Sequence, residues 1–127
     1  MPTEHQERAF ALLRIVVGFL FAFHGAQIVF GLYAEGFTQP HAGSQLWFGG
    51  MIELIGGLLV LIGWQTRCAA FVCSGTMAVA YLQFHWKFQL GRMLFPALNQ
   101  GELAVLYCFI FLLIACHGAG IWSVDRR

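Results

Sequence analysis

Six side chains have the types needed to bind a small molecule or to trade protons with it: His24, Gln27, Glu53, Tyr81, His85 and Glu102. Two imidazoles and two carboxylates suit proton exchange near neutral pH, and the amide and phenol add hydrogen bonds. The same donors would suit a transition metal, but they come from separate segments without ligand spacing, so no metal ligand set is assigned and haem is the weaker reading. Glu53 stands out by its setting. It is the one charge in the 19-residue run LWFGGMIELIGGLLVLIGW from Leu46 to Trp64. At about 100° per residue, Gly49, Gly50, Gly56 and Gly57 fall within about 60° of it, so the carboxyl projects from the smallest face of a helix. Small faces are packing faces in a bilayer, and an ionisable group pointing into one is a functional candidate.

The elements that hold these residues follow from composition and hydropathy. Hydrophobic residues make up 59% of the 127 and charged ones 10%, with a mean hydropathy of +0.71. That is a chain for a bilayer rather than for water. Four apolar stretches of helical length run over about residues 9–30, 46–64, 69–86 and 101–119. Polar loops at 31–45 and 87–100 and a tight connection at 65–68 separate them. The segment 1–8 is a short polar tail without a signal-peptide cleavage pattern, and 123–127 is a charged tail. The expectation is an all-α membrane protein: a four-transmembrane-helix antiparallel bundle in one domain, 1–127. Arg8, Arg14, Arg67, Arg126 and Arg127 lie on one side, against Lys87 and Arg92 on the other, which places both termini in the cytoplasm. Arg14, about a turn inside the first span, is expected to snorkel to the headgroups. A net charge of +1 implies no nucleic-acid partner; the surrounding partner is lipid.

That topology puts His24, Gln27, Glu53, His85 and Glu102 in the outer half of the membrane, with Tyr81 sharing the face of His85. Each also has a plainer reading. Glu53 bonded to His24 would tie two helices together. Glu102 would complement a helix dipole beside the cap residue Asn99. Tyr107 and the tryptophans are read as packing or interfacial residues, and His117 has no visible partner. Cys68, Cys73, Cys108 and Cys116 contain no C-x-x-C pair and are read as buried free thiols acting as small hydrophobes, although Cys73 and Cys116 lie at similar depth and could pair if their helices are neighbours.

The segments LLRIVVGFLFAFHGAQ, GGMIELIGGLLVLIGWQTRCAA, MAVAY with His85, FPALNQGELAVLYCFIFLLIACHGAG and WSVD resemble, collinearly, the DoxX family. The resemblance implies a four-helix, multi-pass protein of bacterial inner membranes. Relatives in that family include the small subunit of an archaeal thiosulfate:quinone oxidoreductase and proteins of thiol and oxidative-stress complexes. Two positions depart from the pattern: Ile28 stands where the family has Lys in HGxQK, and KFQLGR at 87–92 replaces a Pro-Gly turn. With the resemblance added, the expectation is a redox-associated subunit that binds a quinone or similar apolar headgroup in the outer-half pocket. A partner oxidoreductase would supply electrons, so any catalysis would be as the membrane subunit of that enzyme. The alternatives are a noncatalytic anchor or scaffold for a partner protein and, third, a small transporter, with room left for a homo-oligomer.

Overall fold

The computed structural model describes residues 3–31, 40–86 and 101–125, with the side chains of 84–86 outside that description. The loop residues Lys87 and Arg92, the cap candidate Asn99 and the terminal Arg126 and Arg127 lie outside the described residues. Within them every regular element is helical: α1 (Glu4–Phe30), α2 (Gln45–Ile62), α3 (Thr66–Ala80) continued by a π-helical segment (Tyr81–Trp86), and α4 (Glu102–His117). α1 and α2 are long and apolar enough to cross a membrane, and α4 is apolar but shorter.

Local chemistry sets the boundaries. α1 starts at Glu4, within the stretch read as a short polar tail outside the first span, because Thr3 and Gln6 form a reciprocal capping box. The Gln6 N–H donates to Thr3 Oγ1 at 3.2 Å and the Thr3 N–H to Gln6 Oε1 at 2.8 Å. Ser44 Oγ accepts the Trp47 N–H at 3.2 Å and opens α2. Gly63, at φ 75°, closes it in the left-handed conformation that glycine adopts without steric cost. The third stretch begins three residues earlier than expected, at Thr66, and changes to π geometry at Tyr81.

α1 and α2 run antiparallel with their backbones in close approach. A Cβ on Gly57 would meet Ala22 N at 2.5 Å, and one on Gly18 would meet Leu61 N at 2.6 Å, so the small residues are what let the helices touch. α3 and α4 form a second antiparallel pair, bridged where Ser74 Oγ donates to the Cys108 carbonyl at 2.7 Å. α1 meets α4 through aromatic side chains, with Phe21 tilted against Phe111 at 4.7 Å. Phe21, Val60, Cys73, Phe111 and Ile114 form the centre of the core. The outside is as apolar as the inside: Leu12, Val16, Phe71, Leu106, Phe109 and Leu113 are all at least half exposed. Such an exterior belongs against hydrocarbon.

At one end of the bundle, residues 118–125 fold back as a clasp. The Val124 and Asp125 N–H groups donate to the Ile62 and Gly63 carbonyls at 3.0 and 2.8 Å, so the clasp satisfies groups that the end of α2 leaves open. Arg14 sits at its centre, and the expectation that it snorkels to the headgroups is overturned. Its side chain is fully buried. Nε donates to the Val60 carbonyl at 3.1 Å, Nη1 to those of Ala119 and Ile121 at 2.5 and 2.9 Å, and Nη2 to that of Trp122 at 2.6 Å. Left-handed conformations at Gly118, Gly120 and Trp122 (φ 92°, 73° and 58°) curl the chain around the guanidinium. Only Trp122 adopts that conformation against its side-chain preference. Arg67 covers the adjacent end of α4, donating to the Ala115, Cys116 and His117 carbonyls at 3.0, 2.7 and 3.3 Å. His117, for which the sequence offers no partner, stacks on Phe10 with ring centroids 3.8 Å apart.

Candidate functional site

The opposite end of the bundle holds the site. The third turn of α2 carries Glu53 inward, flanked by glycines that face different neighbours. Gly50 and Gly57 face α1, and a Cβ on Gly56 would meet Cys73 Sγ at 2.5 Å. Gly49 faces open space. Glu53 is therefore buried, with 6% of its side chain exposed, while its partner His24 on α1 is 62% exposed. His24 Nδ1 lies 3.3 Å from Glu53 Oε1 and 3.2 Å from Oε2, straddling the carboxyl. A buried carboxylate is costly unless paired and hydrogen-bonded, and this contact supplies both. With Nδ1 held against the carboxyl, Nε2 is left for a molecule beside the ring.

That molecule has a place to go. A cavity of about 980 Å³ opens among the four helices, lined by His24, Gln27 and Glu53 and walled by apolar groups such as Phe23, Ile52, Met77 and Leu103. Its character, a mostly apolar chamber with a few convergent polar groups, is that of a small-molecule site. The sequence-derived set divides here. His24, Gln27 and Glu53 are brought together. Tyr81 packs against the hydrophobic core rather than lining the cavity. Glu102 is exposed at the first turn of α4, also away from the lining. The side chain of His85 lies outside the described residues.

Three polar lining residues were not picked out from the sequence: Gln45, Thr76 and Tyr107. Gln45 Nε2 donates to Gln83 Oε1 at 2.6 Å, joining the start of α2 to the π segment. Thr76 Oγ1 donates to the Val72 carbonyl at 2.9 Å, within its own helix. Tyr107, read as packing, reaches the cavity from α4 while its ring rests 5.4 Å from Phe21. A Tyr three residues from the small Ala104, on a helix that is otherwise apolar between Glu102 and His117, is the one signal that could have marked it. The described His, Cys, Asp and Glu residues form no group of three able to hold a metal ion. All four cysteines are free: Cys73 is buried beneath Gly56, Cys108 is half-buried, and Cys68 and Cys116 are exposed, contrary to the expectation of burial.

The DoxX family model matches residues 9–86, which take in most of α1 and all of α2 and α3, and so both members of the His24–Glu53 pair. An uncharacterized protein of Haemophilus influenzae is 38% identical over 119 residues, covering 92% of this chain and 88% of that protein. No solved structure matches the chain.

Proposed function

This chain belongs to the DoxX family of membrane proteins, and we propose that it binds a quinone or a similar apolar molecule with a hydrogen-bonding head in the cavity beside His24 and Glu53. One observation carries the reading: a buried carboxylate is paired with an imidazole that is open to a large, mainly apolar chamber. An apolar ligand body sits among Phe23, Ile52 and Leu103, while its polar head meets His24 and Gln27. Reducing a quinone takes two electrons and two protons, one proton to each carbonyl oxygen. A partner oxidoreductase delivers the two electrons, the His24–Glu53 pair hands one proton to the carbonyl oxygen facing it, and the second proton comes from water. The protein is then the ligand-binding membrane subunit of a redox assembly.

The proposed setting is a bacterial inner membrane, crossed four times, with the clasp end in the cytoplasm and the cavity in the outer half. The relative in Haemophilus influenzae supports a bacterial setting, and the apolar exterior supports immersion in lipid. The exposed Cys68 beside the clasp provides the orientation test. A membrane-impermeant maleimide should reach it in inverted vesicles and not in right-side-out ones.

Ligand binding is tested on the purified protein in nanodiscs with a short-chain 1,4-benzoquinone. Wild type should bind it, and Glu53→Gln should weaken it about tenfold or more with the helical content unchanged. Wild type that binds no quinone would remove the reading. The scaffold alternative also has an observation in its favour, because the same pair joins α1 to α2. It expects Glu53→Gln to lower the melting temperature and to change nothing else.

A further inference from the structure

The cavity has two walls of different make. α1 and α2 supply His24, Gln27 and Glu53; α3 and α4 supply Thr76 and Tyr107. On the second wall the Thr76 hydroxyl is already donating to the Val72 carbonyl, so it offers a ligand only lone pairs. Tyr107 makes no hydrogen bond to another described residue, and its hydroxyl is a free donor on that wall. Its ring is held in place by Phe21 at 5.4 Å and Phe111 at 6.0 Å. Phe21 lies one turn from His24 on α1, which sets Tyr107 near the level of the pair, across the chamber.

We propose that Tyr107 is a ligand-positioning residue, donating its hydroxyl hydrogen to one carbonyl oxygen of a cyclic dione whose opposite carbonyl faces His24. This rests on the quinone-binding reading above and narrows it. The ligand must carry acceptors on two opposite edges of a flat apolar ring, and it joins the α1–α2 pair to the α3–α4 pair when it binds. An apolar molecule with a single polar end would engage one wall only. Phenylalanine at 107 keeps the ring that packs on Phe21 and Phe111 and removes only the donor.

The test is a short-chain 1,4-benzoquinone, ¹³C-labelled at one carbonyl or the other, bound to wild type and to Tyr107→Phe in nanodiscs. Affinity is read by titration, and each carbonyl stretch by infrared difference spectroscopy. In wild type both carbonyl bands should sit below those of the free quinone. In Tyr107→Phe affinity should fall about tenfold, with one band returning to the free position and the melting temperature of the empty protein unchanged. Unchanged affinity and bands in Tyr107→Phe would overturn this inference and leave quinone binding standing. Weaker binding with both bands still lowered would overturn it too, because ring packing rather than a hydrogen bond would then be the cause. Wild type that binds no quinone would overturn both.

Discussion

Asp125 caps the helix that begins at Thr66, a residue 59 positions earlier in the chain: Oδ2 accepts the Thr66 N–H at 3.0 Å. Its other oxygen accepts the Gln65 N–H, also at 3.0 Å. An N-cap is usually the residue just before its helix. Here that position is Gln65, in a left-handed conformation with no side-chain cap of its own, and the carboxylate arrives from the clasp instead.

The cap makes the clasp sensitive to acid. The Thr66 N–H bond, helped by the Gln65 N–H and by the positive charge of Arg14, holds the Asp125 carboxyl below the ordinary carboxylate range. A group whose pKa is lower folded than unfolded adds stability above its unfolded value, about 3.9, and loses it as pH falls through the folded value. The gap in melting temperature between wild type and Asp125→Asn should therefore be full at pH 7, begin to close near pH 4 and shrink further below it. A gap that stayed constant from pH 7 to 3 would contradict this.

Arg14 should be the least replaceable charged residue of the clasp. Arg14→Met strands the carbonyls of Val60, Ala119, Ile121 and Trp122 and should cost about 3 kcal/mol or more in detergent unfolding. Arg14→Lys keeps the charge but cannot span carbonyls from two segments with a planar fork, so it should recover only part of the loss.

Neighbouring glycines of α2 should respond in opposite ways. Gly57→Ala drives a methyl group into the backbone at Ala22 and should destabilise by about 1–3 kcal/mol. Gly49→Ala meets nothing within 4 Å and should be neutral or stabilising by up to about 1 kcal/mol, as alanine is in a helix. Thermal unfolding of the two variants side by side checks the pair.

The His24–Glu53 contact should appear as energetic coupling. Single and double replacements, Glu53→Gln and His24→Gln, should give a non-additive term of about 0.5–3 kcal/mol in a double-mutant cycle. Strict additivity would mean that the two side chains stand side by side without interacting.

What the sequence made legible is what depends on local pattern. α2 and its glycine-flanked carboxyl follow from helical period and hydropathy, while the pairing of Glu53 with His24 is one of two readings of their common depth; the structure has all three. The role of Arg14 was hidden because its partners are backbone carbonyls, which carry no residue signature, in a segment with no hydrophobic period. Asp125 was hidden for a related reason, since a cap from across the chain leaves no short-range motif. Tyr107 was ambiguous in kind: on an apolar helix a tyrosine that packs and one that lines a cavity look the same. For His85, the change to π winding at Tyr81 alters the angle per residue, so a face counted at 3.6 residues per turn loses its phase there.

The clasp also has a consequence for the order in which the protein is made. Arg14 emerges from the ribosome 105 residues ahead of Ala119, and 108 ahead of Trp122. α1 and α2 can pair as soon as both exist, yet of the four carbonyls that finally hold the guanidinium only that of Val60 is then available. A chain cut short before the clasp carries a buried charge with a single carbonyl partner, and that charge sets an interrupted product apart from a finished one.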